Sequence, residues 1–478
     1  MQQPTSYEPG RIVGLTEHPF AWMVLIGLVL GIGYAASPLT VLFLGSVVVL
    51  YSWARRGLSV RERQWVLGLL LFAIAARLLL VALLFLTADP LETKSFFWDG
   101  DGVYLKQRAE WIRNIWLGIA IDPLDYDSAF YRGYGWTTYI YVIAYVQYWL
   151  GESPYGIHLF NVFLSLSVAV VLYRLIRSAY GKTAALIGLS LSLFIPTPLL
   201  WSVSALKESA YVFLIMLGLV GAVAAIRGPN MTRRILGLCA VTISFATIDG
   251  VRGGGEIILG AGITGGLFGA VVTRRLWVAV LVVALLPFMA YRLIQSEVVY
   301  SRLQSQLQSA ALQHIGHVKT EGNAYQLLDE RFYVDTDRDV VVATWTPPEQ
   351  LRYVARATAS LIAMPLPWQV RSATEMLFLP QQVVWYLLVL MAGIGSIAGV
   401  RRDPVVTFLL VATVLVSSMA VALNSGNIGT MVRHRDTVTP FIVWLSAVGV
   451  VASVSSWKSL VWSHAGTHSH LRKNWMWR

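Results

Sequence analysis

A long apolar run, WVLGLLLFAIAARLLLVALLFLT, extends from Trp65 to Thr87, and the stretch FFWDGDGVY follows it at 96–104. The run is long enough to cross a hydrocarbon core of about 30 Å as one helix. The second stretch places Asp99 and Asp101 between glycines and aromatic residues, just where the chain leaves the membrane. Contact with lipid explains the apolar residues, but it does not explain two carboxylates at a membrane surface. These adjoining segments predict a membrane fold and indicate where its chemistry should be sought.

The composition of the whole chain supports the same fold class. Of its 478 residues, 56% are hydrophobic and 13% are charged, and the mean hydropathy is +0.61. A soluble domain of this size could not bury so much apolar surface. Apolar runs of about 16–23 residues recur along the chain, each long enough to span a bilayer as a helix. The sequence therefore predicts an all-α polytopic membrane protein with about 12–13 transmembrane helices.

The basic residues, which give a net charge of +11, are concentrated in short loops and in the C-terminal tail. The clearest groups lie at 55–63, 174–182, 227–234, 274–275, 401–402 and 458–478. This is the positive-inside pattern of cytosolic loops in contact with anionic lipid heads, and it gives no support for a nucleic-acid partner. The last five groups fall on the cytosolic side only if 135–150 does not cross the membrane. That segment is therefore predicted to be interfacial or re-entrant.

The chain divides into four parts on this scheme. Residues 1–64 form an N-terminal helical hairpin and cytosolic loop, and 65–296 form a transmembrane core that contains the first external loop, 88–134. Residues 297–378 form a second external loop, and 379–478 hold the last transmembrane helices and a basic cytosolic tail. Interfacial or surface helices are predicted over 104–121, 301–317 and 351–364, and Pro196 and Pro198 should kink a membrane helix.

Asp99 and Asp101 are the first candidates for chemistry. A carboxylate can take a proton from an acceptor hydroxyl and stabilise positive charge developing on a sugar ring. The plainer alternative is a turn, because Asp-Gly is a common turn dipeptide. The histidines show no metal-ligand spacing, so a divalent ion on either aspartate stays an open alternative.

Three further polar groups lie in segments predicted to face outward. Lys207-Glu208 stands at the end of a membrane helix, Arg252 lies in a glycine-rich turn at 249–256, and Arg433 and Arg435 lie in the polar stretch 424–436. Arginines can clamp a phosphate bidentately, and glycine-rich backbone can approach an anion closely. The alternatives are a lysine that snorkels to the interface and a simple turn between helices.

The order of these features resembles the GT-C superfamily of integral-membrane glycosyltransferases, in particular the bacterial branch related to protein O-mannosyltransferases and aminoarabinose transferases. The resemblance runs from about Trp65 to Thr273 and returns at 424–441. Its segments are Asp101…Tyr104…Ala109 with Asp99 as the rival acid, Gly151–Ser153, Asn161, Arg174…Tyr180-Gly181, Pro196, Ser204–Glu208, and Asn427–Thr430 with Arg433 and Arg435.

The resemblance implies transfer of a sugar from a polyprenyl-phosphate donor to a glycan, lipid or protein acceptor. The reaction would take place on the outer, periplasmic face of a bacterial-type plasma membrane. Asp101 or Asp99 would be the base or a metal-linked carboxylate, which leaves open a divalent cation such as Mg²⁺ or Mn²⁺. The residues expected to hold the donor and its lipid phosphate are Lys207, Glu208, Arg252, Arg433 and Arg435. Those expected to line the substrate cavity are Tyr104, Arg108, Arg132 and Asn427.

Two other functions fit a membrane protein with large external loops. An O-antigen-type polysaccharide polymerase or ligase would depend on arginines and histidine in its second loop. A lipid-linked glycan transporter would show internal repeats and helices that are interrupted at the bilayer midplane. We see no such repeat in the sequence, and the transferase is the function that the sequence favours.

Overall fold

A computed structural model of the chain describes residues 23–24, 27–28, 31, 33, 37–87, 100–131, 136–153, 155–272, 275–320, 323–334, 342, 344–370 and 373–473. Two of the predicted site residues, Asp99 and Arg132, lie outside these ranges. So does most of the part of the predicted N-terminal hairpin that precedes Ser37. Within the described residues the regular structure is helical, and the one β-pairing is an isolated antiparallel bridge between Ala324 and Asn427.

Eighteen α-helices are numbered here in chain order. Those of the first half are α1 Pro38–Ala54, α2 Val60–Thr87, α3 Gly100–Trp116, α4 Pro123–Phe130, α5 Tyr139–Leu150, α6 Gly156–Tyr180, α7 Lys182–Phe194, α8 Pro196–Ser202 and α9 Glu208–Arg227. Those of the second half are α10 Met231–Val251, α11 Gly255–Val272, α12 Leu276–Gln295, α13 Glu297–Val318, α14 Pro347–Ala363, α15 Ala373–Val400, α16 Pro404–Asn424, α17 Ile428–Arg435 and α18 Thr439–Lys473.

The predicted all-α polytopic membrane fold is confirmed. Eight helices in the described residues are long and apolar enough to cross a membrane, and a ninth span exists if α7 and α8 count together. The spans lie at Val60–Leu86, Gly156–Tyr180, Glu208–Arg227, Met231–Val251, Gly255–Val272, Phe378–Val400, Pro404–Asn424 and Thr439–Trp457. The described part of the chain thus holds eight or nine of the twelve to thirteen transmembrane helices that the sequence predicts.

The span formed by α7 and α8 is broken at Pro196. The two helices meet at an angle of 62°, and Ile195 between them is extended, with φ −59° and ψ 127°. Proline disfavours helical backbone at the residue before it and cannot donate a hydrogen bond to the preceding turn. The predicted kink is confirmed, and the chain emerges from it at 203–207.

Helix α5 does not span the membrane as a single helix. It has 12 residues, which make about 18 Å at the rise of an α-helix, well short of the hydrocarbon thickness. Ile143 and Ala144 of α5 are fully buried in one cluster with Ile112 of α3. The residues before α5 are also held, because the Thr137 hydroxyl donates to the carbonyl of Val251 at 2.9 Å. Helices α3 and α5 therefore form a small layer on one end of the bundle.

Arg77, in the middle of α2, faces other helices. Its side chain is fully buried, and its Nε donates to Ser202 Oγ at 2.9 Å. Its Nη1 donates to the carbonyl of Leu193 at 3.2 Å. A charge inside the membrane needs such partners, and here they join α2 to the broken span.

The second polar segment carries the two surface helices that the sequence predicts. They are α13 and α14, and α14 begins at paired prolines with a capping box between Thr346 and Glu349. Helix α13 docks on the end of α16 through His314, whose Nδ1 lies 2.6 Å from the carbonyl oxygen of Ser425. Burial lowers the pKa of His314 to about 4, so this ring is neutral at physiological pH and its Nδ1 carries the proton.

The two ends of the bundle differ in charge. At one end, arginines pair with the few acids nearby: Arg177 contacts Glu62 at 2.7 Å, and Arg227 makes a bidentate pair with Asp403 at 2.6 and 2.9 Å. We call this the basic end, because it gathers the loops at 55–63, 174–182, 227–234 and 401–402. The opposite end is covered by the α3–α5 layer, by α13 and α14, and by α17.

Candidate functional site

A group of charged side chains converges at the end of the bundle opposite the basic end. Arg433 on α17 donates from Nη1 to Asp101 Oδ2 at 2.6 Å and from Nε to Glu208 Oε1 at 2.9 Å. Asp101 lies in the first turn of α3, and Glu208 is the first residue of α9. With Lys207 and Arg252, which lie beside them, these residues form what we call the ionic cluster. All five are site residues predicted from the sequence.

The two carboxylates of the ionic cluster differ in access. The Asp101 side chain is 69% exposed, whereas that of Glu208 is 6% exposed. The Oε2 atom of Glu208 is buried and has no hydrogen-bond partner among the described residues. Asp101 is therefore the carboxylate that an incoming substrate can reach, and Glu208 is the buried group that holds Arg433 in position.

The ionic cluster has three cations for its two carboxylates. Burial lowers the pKa of Lys207, and the nearby charge of Arg252 lowers it further. Burial also opposes the charge of Arg433, but Glu208 and Asp101 outweigh it and raise the pKa of this guanidinium above its usual value. An excess of positive charge at a partly buried site favours an anionic ligand, because opposite charges interact more strongly where water is scarce.

Lys207 and Glu208 are positioned by α6. Asn161 on that helix donates from Nδ2 to the carbonyls of Ser204 and Leu206, both at 2.7 Å, and accepts from the Tyr139 hydroxyl at 2.7 Å. These bonds satisfy the backbone of the segment between α8 and α9, which lacks helical partners of its own. Asn161 therefore fixes the backbone that presents Lys207 and Glu208.

Arg252 is presented by the tight turn between α10 and α11. Helix α10 ends at Val251 and α11 begins at Gly255. Gly254 has φ +79°, a conformation that favours glycine, and its amide donates to Asp249 Oδ1 at 2.9 Å. The Arg252 guanidinium lies 5.7 Å from the ring centre of Tyr211. The predicted glycine-rich turn is thus present, and its arginine points toward the ionic cluster.

Arg433 and Arg435 do not form a shared clamp. Residues two apart on a helix point in nearly opposite directions, and Arg435 is buried on the other side of α17. It donates to Gln382 Oε1 at 2.9 Å and to the carbonyl of Met364. Burial lowers its pKa to about 10. Arg435 therefore ties α17 to α14 and α15, and the phosphate clamp predicted for the pair is not formed.

The residues predicted to line a substrate cavity have different surroundings. Arg108 is fully buried and donates to the carbonyls of Ala129 and Tyr131, at 3.1 and 2.5 Å, so it holds α4 against α3. Asn427 caps α17 by accepting from the Thr430 amide at 2.7 Å, and it donates to Thr320 at 2.7 Å. Tyr104 is 41% exposed and is the described member of this group that a ligand can reach.

Sequence reasoning missed Trp201 and His434. The indole ring of Trp201 lies under the Arg433 guanidinium, 5.7 Å from ring centre to Cζ. The Nδ1 atom of His434 is buried without a partner among the described residues, and burial together with the charge of Arg252 lowers its pKa well below the usual value. The position of His434 directly after Arg433 was the available signal, but the ring's direction depends on the exact register of α17.

A metal site is not assembled from the described residues. Within them, no three His, Cys, Asp or Glu side chains come together in a way that could hold an ion. In the ionic cluster, Arg433 already occupies one oxygen of Asp101. We therefore derive no step through a cation, and the divalent ion stays an open alternative.

Known proteins do not assign a family to this chain. No protein-family model matches it, and no curated protein matches it. The resemblance to GT-C glycosyltransferases therefore stays a prediction.

Proposed function

We propose that the chain is a membrane glycosyltransferase that moves a sugar from a polyprenyl-phosphate donor to a glycan, lipid or protein acceptor. The observation that carries the proposal is the exposed carboxylate of Asp101, held by Arg433 at 2.6 Å above a buried Glu208, at one end of a transmembrane bundle. A lone exposed aspartate would be surrounded by water. Asp101 is instead fixed by Arg433 in a cluster that has more positive than negative side chains.

The reaction requires a base and a stabilised leaving group. Asp101 takes the proton of the acceptor hydroxyl as that oxygen bonds to C1 of the sugar. The bond between C1 and the phosphate oxygen breaks, and the polyprenyl phosphate leaves with the electron pair. Lys207 and Arg252 supply the positive charge that stabilises this phosphate as it departs, and such charges act most strongly in a partly dry site.

The surroundings of the ionic cluster suit a lipid-borne substrate. Helix α5, beside it, exposes Tyr145 and Trp149, which are 56% and 76% exposed. Aromatic rings of this kind settle at the level of lipid head groups. The distribution of basic residues supports an outward-facing site, because the opposite end of the bundle carries the arginine-rich loops that the positive-inside rule assigns to the cytosol. In a bacterium the outer side of the plasma membrane is the periplasm.

The test is release of polyprenyl phosphate by the purified chain in lipid nanodiscs, with a panel of radiolabelled polyprenyl-phosphate sugars. We expect release with at least one donor, and a rate at least about 100-fold lower in Asp101→Asn, as for loss of a general base. Asp127→Asn is the matched control, because Asp127 is an exposed carboxylate on the neighbouring α4 and its loss should leave the rate unchanged.

Asp99→Asn is assayed in the same experiment, to decide whether Asp99 or Asp101 is the general base. A rate that falls in Asp99→Asn and not in Asp101→Asn would move the base to Asp99. The transferase proposal is contradicted if polyprenyl phosphate is released from none of the donors. It is also contradicted if the variant that carries both Asp99→Asn and Asp101→Asn keeps the wild-type rate. That second result would favour a polymerase that depends on its second loop.

A further inference from the structure

A groove opens at the basic end of the bundle, far from the ionic cluster. It has a volume of about 290 Å³ and lies between the α6–α7 corner, the end of α15 and α18. Its wall is formed by the small and apolar side chains Ala184, Ala398, Val448 and Val451, and its mouth by Arg401 and Arg402.

The packing of α15 on α18 explains why there is space here. The two helices touch backbone to backbone at Gly395 and Gly449, where an added Cβ would lie 1.8 and 1.9 Å from a carbonyl oxygen of the partner helix. One turn closer to the basic end, the residues at 398 and 452 are alanines, whose short side chains line the groove and leave the gap between the helices unfilled. The groove is therefore a built feature of this helix pair and its neighbour α7.

The mouth of the groove is positively charged. Arg401 is exposed directly after the span that ends at Val400, and Arg402, also exposed, donates to the carbonyl of Tyr180 at 3.1 Å. The next residue, Asp403, is not available to neutralise them, because Arg227 holds it bidentately. No acidic side chain is among the described residues that line the groove.

The membrane level of the groove is marked by Trp457. This residue ends the α18 span and is 65% exposed, as expected for an indole at a lipid–water interface. A ligand that fits here must present an anionic group at the interface and an apolar chain toward the bilayer. Basic pockets between transmembrane helices bind lipid head groups in this way.

We propose that this groove binds one anionic phospholipid. Its head-group phosphate lies against Arg401 and Arg402, and one acyl chain runs along Ala398 and Val451. The site is separate from the ionic cluster, and it does not depend on the function proposed above.

The test is native mass spectrometry of the full chain in detergent, titrated with phosphatidylglycerol and, separately, with zwitterionic phosphatidylcholine. We expect one phosphatidylglycerol to be retained in preference to phosphatidylcholine. Arg401→Gln should weaken its apparent affinity about fivefold, the effect of one basic residue near an anionic head group. Arg401 is the better position to change, because Arg402 also caps the carbonyl of Tyr180.

Two further variants separate a groove from general surface charge. Arg233→Gln removes an exposed arginine at the same end but outside the groove, and it should keep wild-type retention. Ala398→Leu fills the apolar part without changing charge, and it should weaken retention at least as much as Arg401→Gln. Unfolding temperatures of all variants, measured in the same detergent, identify any that fail to fold.

The proposal is overturned by any of three results. The first is equal retention of the two phospholipids by the wild type. The second is equal weakening in Arg233→Gln and Arg401→Gln, which would show attraction to the whole basic end. The third is wild-type retention in a folded Ala398→Leu variant, which would leave the apolar wall without a role.

Discussion

Arg433 is the residue on which the geometry of the ionic cluster depends. Its planar guanidinium presents donors in two directions, and it uses them for two carboxylates that lie on different helices. A lysine ammonium could neutralise one of these charges but could not fix both in direction. Loss of Arg433 should destabilise the buried carboxylate of Glu208 more than the exposed one of Asp101, because a carboxylate removed from water needs a counter-charge.

Arg433→Gln should therefore lower the free energy of unfolding by about 3 kcal/mol, the range for breaking one half of a buried ion pair. Arg433→Gln combined with Glu208→Gln should recover most of this loss, because no buried charge is then left unpaired. Thermal unfolding of both variants in one detergent measures the difference. Equal destabilisation of the single and double variants would show that Lys207 and Arg252 already satisfy Glu208.

At the residue scale, the sequence could identify the polar stretches but not the direction of each side chain. Asp101, Lys207, Glu208, Arg252 and Arg433 were all predicted, and they do come together. Arg435 was predicted beside Arg433 on its charge alone, yet it points the other way, because direction on a short helix depends on register and not on residue type. Register is set by packing against distant parts of the chain, which a local pattern does not contain.

The broken span is the element that presents Lys207 and Glu208. Pro196 ends α7, the short helix α8 runs only to Ser202, and the backbone from Val203 to Leu206 then lies outside the helices. Asn161 and His158 on α6 hydrogen-bond to its carbonyls, His158 through Nδ1 at 2.7 Å from the carbonyl of Val203. Asn161 is thus a positioning residue, since it acts on the ionic cluster only through the backbone that it holds.

Asn161→Ala should lower kcat for polyprenyl-phosphate release about tenfold and destabilise the fold by about 1–3 kcal/mol, because two buried carbonyls lose their donor. Ser167→Ala is the matched control: Ser167 is buried on the same helix, and its hydroxyl has no partner among the described residues. Release kinetics and thermal unfolding are measured for both. The positioning role is contradicted if Asn161→Ala loses stability but keeps the wild-type kcat.

The close contact of α15 with α18 at Gly395 leads to a second prediction about the helices. Gly395→Ala should destabilise the fold by about 1–3 kcal/mol, because the added methyl group overlaps the backbone of α18. Gly393→Ala, two residues earlier on the same helix, meets nothing within 4 Å and should be neutral or slightly stabilising. Unfolding temperatures compare the two, and equal values would contradict this account of the crossing.

Most elements were predictable because their signals are local. The apolar runs follow from composition and the kink at Pro196 from proline chemistry. The distribution of basic loops indicated that 135–150 does not span the membrane. The groove beside α15 was not predictable, because alanines at 184, 398 and 452 lie far apart in sequence and nothing local brings them together.

The whole molecule has two chemically different ends. Among the described residues, the arginine-bearing loops at 55–63, 174–182, 227–234 and 401–402 lie at the basic end, where Glu62 pairs with Arg177 and Asp403 with Arg227. The ionic cluster lies at the other end. Such an asymmetry orients a membrane protein during insertion. We therefore expect the basic end in the cytosol and the ionic cluster outside.

Labelling of single cysteines in intact cells tests this orientation. In a Cys239→Ala background, Asp127→Cys should react with a membrane-impermeant maleimide, and Arg233→Cys should react only after the cells are opened. Both positions are exposed, so a difference reports the side of the membrane and not burial. The opposite pattern would reverse the topology.

The distance in sequence between Asp101 and Arg433 has a consequence for biosynthesis. The two residues are 332 positions apart, so the ribosome delivers Asp101, Lys207, Glu208 and Arg252 long before the arginine that joins them. Until α17 has been synthesised, Glu208 at the start of α9 lacks its contact with Arg433. A nascent chain that stalls before this point therefore holds Glu208 without the arginine that it contacts in the folded protein.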